Sequence, residues 1–260
     1  MPHIVSQVHF KTIDFERNEF ILLPTFRLPV LIHSRTNGAK WLHEIAHSNP
    51  VWLHPSDALR LGVVTGDEVK IATEIGSFVD KVWVTEGIRP GVVACSHHLG
   101  RWRLNETTGS DRWNSSLVKI AEAAPGKWEM KQIHGPEPFK STDKDSERIW
   151  WSDGGVHQNL IFPVQPDPIS GMNCWHQRVH VEKVSSGQQY GEITIDRKKA
   201  HQVFQRWLQI TRPAAPGSGG LYRPYWLLRV LKPHPDAYVI PEGSTGMVEV
   251  APADASESIS

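Results

Sequence analysis

Short runs with the pattern of strands, separated by glycines, recur between residues 51 and 94, and those at 69–72 and 78–84 alternate apolar and polar side chains. Alternation with period two places every second side chain on the same face of a strand. We therefore predict strands at 69–72 and 78–84. The apolar run at 51–53 also predicts a strand, and the one at 92–94 predicts a buried strand. Four strands in so short a stretch favour a small β-barrel.

A short helix is predicted between the first two of these strands. Ser56 can cap its N-terminus, residues 57–61 carry apolar side chains on one side, and Gly62 can adopt the left-handed conformation that ends a helix. Gly66 followed by Asp67 then predicts a tight turn into the next strand.

Apolar runs flank this central stretch on both sides. Before it, residues 20–23 and 26–32 have the composition of buried strands interrupted by prolines, and residues 40–46 predict a short helix. After it, residues 178–182 alternate like a strand. Residues 200–211 repeat apolar side chains at intervals of three and four, which predicts a longer helix.

The charge and the cysteine content exclude some classes of function. The 260 residues carry 28 Lys and Arg and 28 Asp and Glu, so nothing attracts nucleic acid or an anionic membrane as a whole. Cys95 and Cys174 permit one disulfide but no disulfide framework, and no C-x-x-C pair is present for an iron–sulfur cluster.

Targeting signals and membrane spans are also not expected. No basic region precedes an apolar run at the N-terminus, and no apolar run reaches the roughly 20 residues that cross a bilayer. We therefore expect a chain without its own export signal or direct membrane insertion. Its expected location is cytoplasmic, or periplasmic only if it is exported together with a partner.

A first cluster of polar donors directly follows an apolar run. The five residues combine imidazole, hydroxyl, guanidinium and amide groups, a set that suits an anion or the edge of a heterocycle. The alternative is a solvated loop in which the arginine forms an ion pair. The cluster consists of His33, Ser34, Arg35, Thr36 and Asn37.

A second cluster places sulfur and imidazole groups at the end of a predicted strand. Together with a later Cys–His segment it supplies six potential metal ligands, whereas Zn²⁺ needs three or four that converge. His176 and His180 are four residues apart, a spacing that on a strand separates them by ~13 Å. A metal site is therefore less favoured than the alternative, in which these side chains form hydrogen bonds within loops. The six side chains are Cys95, His97, His98, Cys174, His176 and His180.

Seven short motifs occur in the order typical of one known family, over roughly residues 20–184. In this stretch the chain resembles the molybdopterin dinucleotide-binding domain at the C-terminal end of the large subunits of the dimethyl sulfoxide reductase family. Each motif alone is weak, but seven in order are specific. They are 33–37 with Trp41 and Leu42, 55–58 with 61–62, 66–69, 87–93, 97–102, 159–160 with 167–171, and 179–181.

The resemblance implies a mainly β fold, namely a β-barrel with short helices of the double-psi, aspartate-decarboxylase-like type, with a C-terminal helical extension. It also implies the C-terminal cofactor-binding part or subunit of an oxidoreductase that uses bis(molybdopterin guanine dinucleotide) with molybdenum or tungsten. The metal ligand and the redox chemistry then lie in another chain or in missing domains. The expected partner is a larger catalytic subunit that carries the metal ligand, accompanied by an iron–sulfur subunit. No catalytic or metal-ligating residue is therefore expected in this chain.

The same resemblance implies a set of cofactor contacts. The two donor-rich loops lie over the pterin or pyrophosphate, with Gly100 letting the backbone come close. Asn159 reaches back to the cofactor with an amide that offers both a donor and an acceptor, the alternative being an Asx turn. The expected contacts are His33, Ser34, Arg35, Thr36, Asn37, Trp41, Asp57, His97, His98, Gly100, Arg101, Trp102 and Asn159.

The expected organisation has an N-terminal arm at 1–19 and a cofactor-binding barrel at 20–184. Residues 105–148 have little apolar pattern and are interpreted as an insertion in the barrel. Residues 185–260 form an extension whose helix is capped by Asp196. We expect this extension to dock onto a partner subunit, with a disordered tail at its end.

Two alternatives come from other functional classes. The first is a cofactor-free interaction module, in which loops rich in the 11 tryptophans and the segment 195–231 bind a partner protein. The second is a small zinc- or histidine-dependent barrel enzyme that uses His97, His98 and Asp67.

Overall fold

The computed structural model describes the barrel region and the start of the C-terminal extension. The described residues are 13–24, 40–105, 115–136, 153–163, 176–209, 211–213 and 222–224. Within them the strands are β1 (Glu19–Leu23), β2 (Val51–Leu53), β3 (Glu68–Ala72), β4 (Gly76–Val84), β5 (Val92–Ala94), β6 (Trp102–Arg103), β7 (Ser116–Ala124), β8 (Lys127–His134), β9 (Gln177–Lys183), β10 (Ile193–Asp196), β11 (Thr211–Pro213) and β12 (Tyr222–Pro224). The helices are α1 (Lys40–Ile45), α2 (Pro55–Leu61), the 3-10 helix Gln158–Ile161 and α3 (Arg197–Gln209).

Six strands close into a barrel in the order β2, β5, β1, β9, β3 and β4, and β4 pairs back onto β2. The β1–β5 and β2–β4 pairs are parallel, and the other four are antiparallel. Closure leaves these strands without a free edge. The predicted mainly β fold, a barrel with short helices, is confirmed.

The barrel interior is filled by the apolar residues of the alternating strands. Along β3 and β9 every second side chain is buried, as the period-two pattern predicts. At 25 cal/mol per Å², each such side chain contributes roughly 1.5–3 kcal/mol to folding. Fully buried members include Phe20, Leu22, Val51, Leu53, Val69, Ile71, Phe78 and Val181.

Helix α2 begins and ends by capping, but not with the predicted N-cap. His54 is the N-cap, and its ring Nδ1 accepts a hydrogen bond from the backbone N–H of Ser56 at 3.2 Å. The prediction that Ser56 caps the helix is wrong, because Pro55 already occupies the first turn, where proline is favoured. Gly62 ends the helix with φ +66°, as predicted.

The stretch interpreted as an insertion contains a regular hairpin. Strands β7 and β8 pair with each other, and β8 pairs with β10, which in turn pairs with barrel strand β4. The hairpin therefore extends the barrel sheet outward. Only the first three residues of β7 are buried, so its outer half carries no alternating apolar pattern in the sequence.

The C-terminal extension begins with β10 and α3. Asp196 caps the helix, and its Oδ1 accepts a hydrogen bond from the backbone N–H of Lys199 at 3.0 Å, as predicted. Val203 is buried on the helix face toward the protein. Within the described residues no helix has the length and hydrophobicity needed to cross a membrane. The expected disorder of the tail concerns residues outside those described.

Candidate functional site

Two loops meet at one end of the barrel and form the candidate site. Residues 95–101 follow β5, and residues 153–159 run into the 3-10 helix. The backbone N–H of Gly100 donates to the carbonyl of Gly154 at 2.9 Å. The side-chain Nε2 of Gln158 donates to the carbonyl of Cys95 at 2.6 Å. We call these segments loop A (95–101) and loop B (153–159).

Asn49, just before β2, binds both loops. Its side chain is fully buried, and Nδ2 donates to the carbonyls of Ser96 at 2.5 Å and Val156 at 3.0 Å. Its Oδ1 accepts a hydrogen bond from the N–H of Val156 at 2.7 Å. Nothing in the local sequence around Asn49 indicates this role, since its partners are distant in the chain.

Gly100 is required where loop A touches loop B. Its φ is +82°, and a Cβ at this position would lie 2.3 Å from the backbone of both Val156 and His157. The space left by the missing side chain is thus occupied by protein backbone. The expected reason for this glycine, a close approach of the cofactor, is not needed to explain it.

The two histidines of loop A are held by hydrogen bonds. His97 donates from Nδ1 to the carbonyl of Pro24 at 2.7 Å, and His98 Nδ1 lies 2.8 Å from the hydroxyl of Ser96. Their rings lie 4.2 Å apart and are tilted by 33°. His98 is buried and His97 is half-buried, so His97 is the more accessible of the two.

Loops A and B each present one exposed polar group. Arg101 and Asn159 are exposed, and each directly follows one of the residues that join the loops. His157 is half-buried, and burial lowers its pKa. Trp102 lines an apolar cavity of about 210 Å³ with Leu160 and others, so it lies between the loops and the β7–β8 hairpin.

Buried ionisable groups lie beneath the loops. The carboxyl of Asp80 is fully buried, accepts the N–H of Lys81 at 2.7 Å and lies 3.6 Å from the thiol of Cys95. Burial raises the pKa of Asp80 well above its ordinary value and likewise that of Cys95. Nearby, the hydroxyl of Tyr190 donates to Asp153, and burial raises the pKa of Tyr190. Burial therefore disfavours the charged forms of Asp80, Cys95 and Tyr190, which lie beneath the loops.

Asp57, expected to contact the cofactor, makes contacts within the protein. Its carboxylate accepts the backbone N–H of Gly91 at 2.7 Å and a hydrogen bond from Arg60 at 3.2 Å. Its contribution to a cofactor site stays a prediction. The predicted contact of Trp41 also stays a prediction, because its side chain in α1 lies outside the described residues. The same holds for five residues that lie wholly outside them, namely His33, Ser34, Arg35, Thr36 and Asn37.

The metal alternative gains no support from the geometry. Among the residues that the structure describes, no three His, Cys, Asp or Glu side chains come close enough to hold a metal ion. His180 is an exposed residue of strand β9. Cys95 is a buried free thiol, and Cys174 lies outside the described residues.

Part of the chain matches a known protein family. Residues 21–122 match the family described as Molydopterin dinucleotide binding domain. This part of the chain is a molybdopterin dinucleotide-binding domain of the dimethyl sulfoxide reductase family. The match contains barrel strands β2 to β5 and loop A, whereas strand β9, which pairs with β1 and β3 to close the barrel, lies beyond it.

Relatives of this binding domain belong to several reductases. The molybdopterin-containing subunit of the arsenate respiratory reductase of Chrysiogenes arsenatis is 32% identical over 85 residues, covering 30% of this chain and 10% of the relative. A tetrathionate reductase subunit of Salmonella typhimurium is 36% identical over 69 residues, covering 26% and 7%. The molybdopterin-containing subunit of the thiosulfate reductase of Salmonella typhimurium is 42% identical over 65 residues, covering 24% and 8%. The matched part spans about a tenth of the length of these relatives.

A solved structure similar to this chain is acetylene hydratase from Pelobacter acetylenicus. The TM-score is 0.40 at 14% sequence identity, and the similarity covers 65% of this chain and 19% of that one.

The described residues fit a dinucleotide. A dinucleotide presents an anionic pyrophosphate and heterocycles with hydrogen-bonding edges. The exposed guanidinium of Arg101 suits the pyrophosphate, and the exposed amide of Asn159 suits a heterocycle edge. In addition, Oε1 of Gln158 is buried and has no hydrogen-bond partner among the described residues, which leaves one acceptor at the loop pair for a bound donor.

Proposed function

We propose that this chain is the C-terminal cofactor-binding part of a molybdenum or tungsten oxidoreductase, and that loops A and B close over one end of bis(molybdopterin guanine dinucleotide). The observation that carries this proposal is that Arg101 and Asn159 are exposed on two loops joined by hydrogen bonds, the first of which lies in the part of the chain that matches the molybdopterin dinucleotide-binding domain. The chain's own task is to bind and orient the cofactor, which itself supplies the redox chemistry.

The rest of the enzyme is proposed to lie in other domains or another chain. The relatives are about ten times longer than the part that they share with this chain, and their names call them subunits. A larger catalytic subunit that carries the metal ligand, together with an iron–sulfur subunit, is the partner that this division implies. We propose a cytoplasmic location, or a periplasmic one by export with that partner.

Native purification tests this proposal. The chain is isolated from its host under mild conditions, and the product is assayed for molybdenum, tungsten and the fluorescent oxidation product of pterin. Pterin and metal that copurify with a larger cysteine-containing subunit support the proposal. A chain that is free of both would overturn it and favour the cofactor-free interaction module.

Substituting Arg101 with alanine is expected to lower pterin retention about tenfold or more. Asn159→Ala is expected to lower it about two- to tenfold, because a hydrogen bond between neutral groups contributes only ~0.5–1.5 kcal/mol. A hydrogen bond to a charged group contributes ~1.5–3 kcal/mol, and 1.4 kcal/mol is a factor of ten in affinity. Both side chains are exposed, so the melting temperature is expected to change little. Retention is measured as pterin fluorescence per mole of protein after gel filtration.

Matched control variants separate binding from general effects of charge and size. Arg89→Ala removes an exposed arginine at the other end of β5, and Gln202→Ala removes an exposed amide on α3. Both controls are expected to retain pterin like the unmodified chain. Equal losses in the controls and in the two loop variants would contradict a specific contact.

A further inference from the structure

We infer that Asn49 is a positioning residue, which sets the geometry of the cofactor site by fixing loops A and B to each other and to the barrel. This inference rests on the proposed function, because it concerns the loops at which the cofactor is proposed to bind. Asn49 itself is fully buried and makes no contact with a ligand in that proposal.

The hydrogen bonds of Asn49 explain why an amide is needed at this position. On Val156 of loop B the amide accepts from the backbone N–H at 2.7 Å and donates to the carbonyl at 3.0 Å, the pair of bonds that a neighbouring strand would make. The second N–H of the same amide donates to the carbonyl of Ser96 in loop A at 2.5 Å. One planar group therefore satisfies three buried backbone groups on two separate loops.

The attachment to the barrel comes from the backbone around Asn49. Pro50 follows directly and restricts the backbone there, and β2 begins at the next residue. The carbonyl of Asn49 also accepts a hydrogen bond from the thiol of Cys95 at 3.2 Å. The amide is thus held in place by a strand of the closed barrel.

Gly155 shows how closely loop B is held to this amide. Its φ is +80°, and a Cβ at this position would lie 2.4 Å from Oδ1 of Asn49. The absence of a side chain at residue 155 is therefore a condition for the hydrogen bonds of Asn49. Because the same amide also binds Ser96, this close contact fixes the position of loop B relative to loop A.

The consequence for binding follows from the positions of Arg101 and Asn159. Arg101 directly follows Gly100, and Asn159 directly follows Gln158, so each exposed group lies next to a residue that joins the loops. A change in the position of one loop relative to the other changes the separation of the guanidinium from the amide. Loss of the Asn49 amide is expected to weaken cofactor binding even though Asn49 does not touch the cofactor.

The test compares Asn49→Ala and Asn49→Asp with Val181→Ala in the full chain with its native partner. Asn49→Asp keeps the acceptor for the N–H of Val156 but removes both N–H donors of the amide. It is the second test variant, used in place of Asn49→Ala if that variant does not fold. Val181→Ala removes a fully buried side chain from β9 and is a control for lost stability alone. Hydrogen exchange at the amides of Gly100 and Val156 and pterin retention after gel filtration are measured.

We expect exchange at the Gly100 amide to be at least tenfold faster in both Asn49 variants, and exchange at the Val156 amide to be at least tenfold faster in Asn49→Ala. An approximately tenfold loss of pterin is expected with these changes, and none of them is expected in Val181→Ala. Unchanged exchange would overturn the inference, and so would faster exchange with full pterin retention. Equal pterin loss in the control would also overturn it, since the effect would then be one of stability. If the unmodified chain holds no pterin, the proposed function is wrong, and so is the inference that Asn49 positions a cofactor site. In that case the exchange rates still show whether Asn49 joins loops A and B.

Discussion

Replacing Gly100 with alanine is expected to destabilise the folded protein by roughly 2 to 5 kcal/mol. A non-glycine residue with positive φ costs about 1–2 kcal/mol, and overpacking a filled site costs a further ~1–3 kcal/mol. Both terms apply, because φ is +82° and the new Cβ would lie 2.3 Å from the backbone of Val156 and His157. That backbone cannot move away without breaking the hydrogen bonds that join the two loops.

Gly66→Ala is the matched control for this prediction. Gly66 has φ +96°, and a Cβ there would have nothing within 4 Å, so only the backbone term of about 1–2 kcal/mol applies. Denaturant unfolding of both variants gives the difference directly. Equal losses at the two positions would show that loops A and B separate easily, and the close contact at Gly100 would then have no energetic importance.

Local pattern is sufficient to predict the barrel strands. Residues 69–72 and 178–182 alternate because one face of each strand is buried in the barrel. Burial of every second side chain requires an apolar residue at every second position, which is visible in the sequence. The hairpin β7–β8 cannot be predicted in this way, because most of its first strand has no buried face. Most of β7 is exposed, so its strand conformation comes from pairing with β8 and not from an apolar face.

The N-cap of α2 shows where residue preferences mislead. Serine is a preferred N-cap residue, and that preference favours Ser56. The helix begins earlier, at Pro55, which places His54 at the cap and Ser56 within the first turn. The histidine ring supplies the acceptor that a serine hydroxyl would otherwise have supplied.

The candidate site is predictable only in part. The concentration of histidine, glycine and arginine in loop A is visible in the sequence, and so is the amide of Asn159. The role of Asn49 is not visible, because the carbonyls that it binds lie 47 and 107 residues away, and no local pattern carries such information. The same holds for Asp80, whose polar side chain within an alternating strand resembles any surface residue until the fold buries it.

Replacing Asp80 with asparagine is expected to stabilise the protein at pH 8. Burial raises the pKa of this carboxyl in the folded state, whereas the unfolded chain releases the proton near the ordinary value of 3.8. Between the two values the folded state holds one proton more than the unfolded state. The free energy of unfolding therefore falls as the pH rises, by up to about 1.4 kcal/mol per pH unit.

The asparagine side chain removes this pH dependence while keeping the local contacts. Its oxygen can still accept the N–H of Lys81, and its amide nitrogen faces the thiol of Cys95. We expect the variant to exceed the unmodified chain by at least about 1 kcal/mol at pH 8 and to lose the advantage toward pH 4. Unfolding midpoints in denaturant between pH 4 and pH 9 measure both effects.

Asp67→Asn provides a control with the opposite sign. A hydrogen bond from the N–H of Val64, followed by one from Lys183, lowers the pKa of Asp67. The ionised carboxylate of Asp67 thus stabilises the folded protein above the unfolded pKa, and this contribution disappears as the pH falls through the folded pKa. Its asparagine variant should be less stable at neutral pH and should approach the unmodified chain in acid. If Asp80→Asn behaved in the same way, burial would not raise the pKa of Asp80 in the folded protein, and this account of its carboxyl would be wrong.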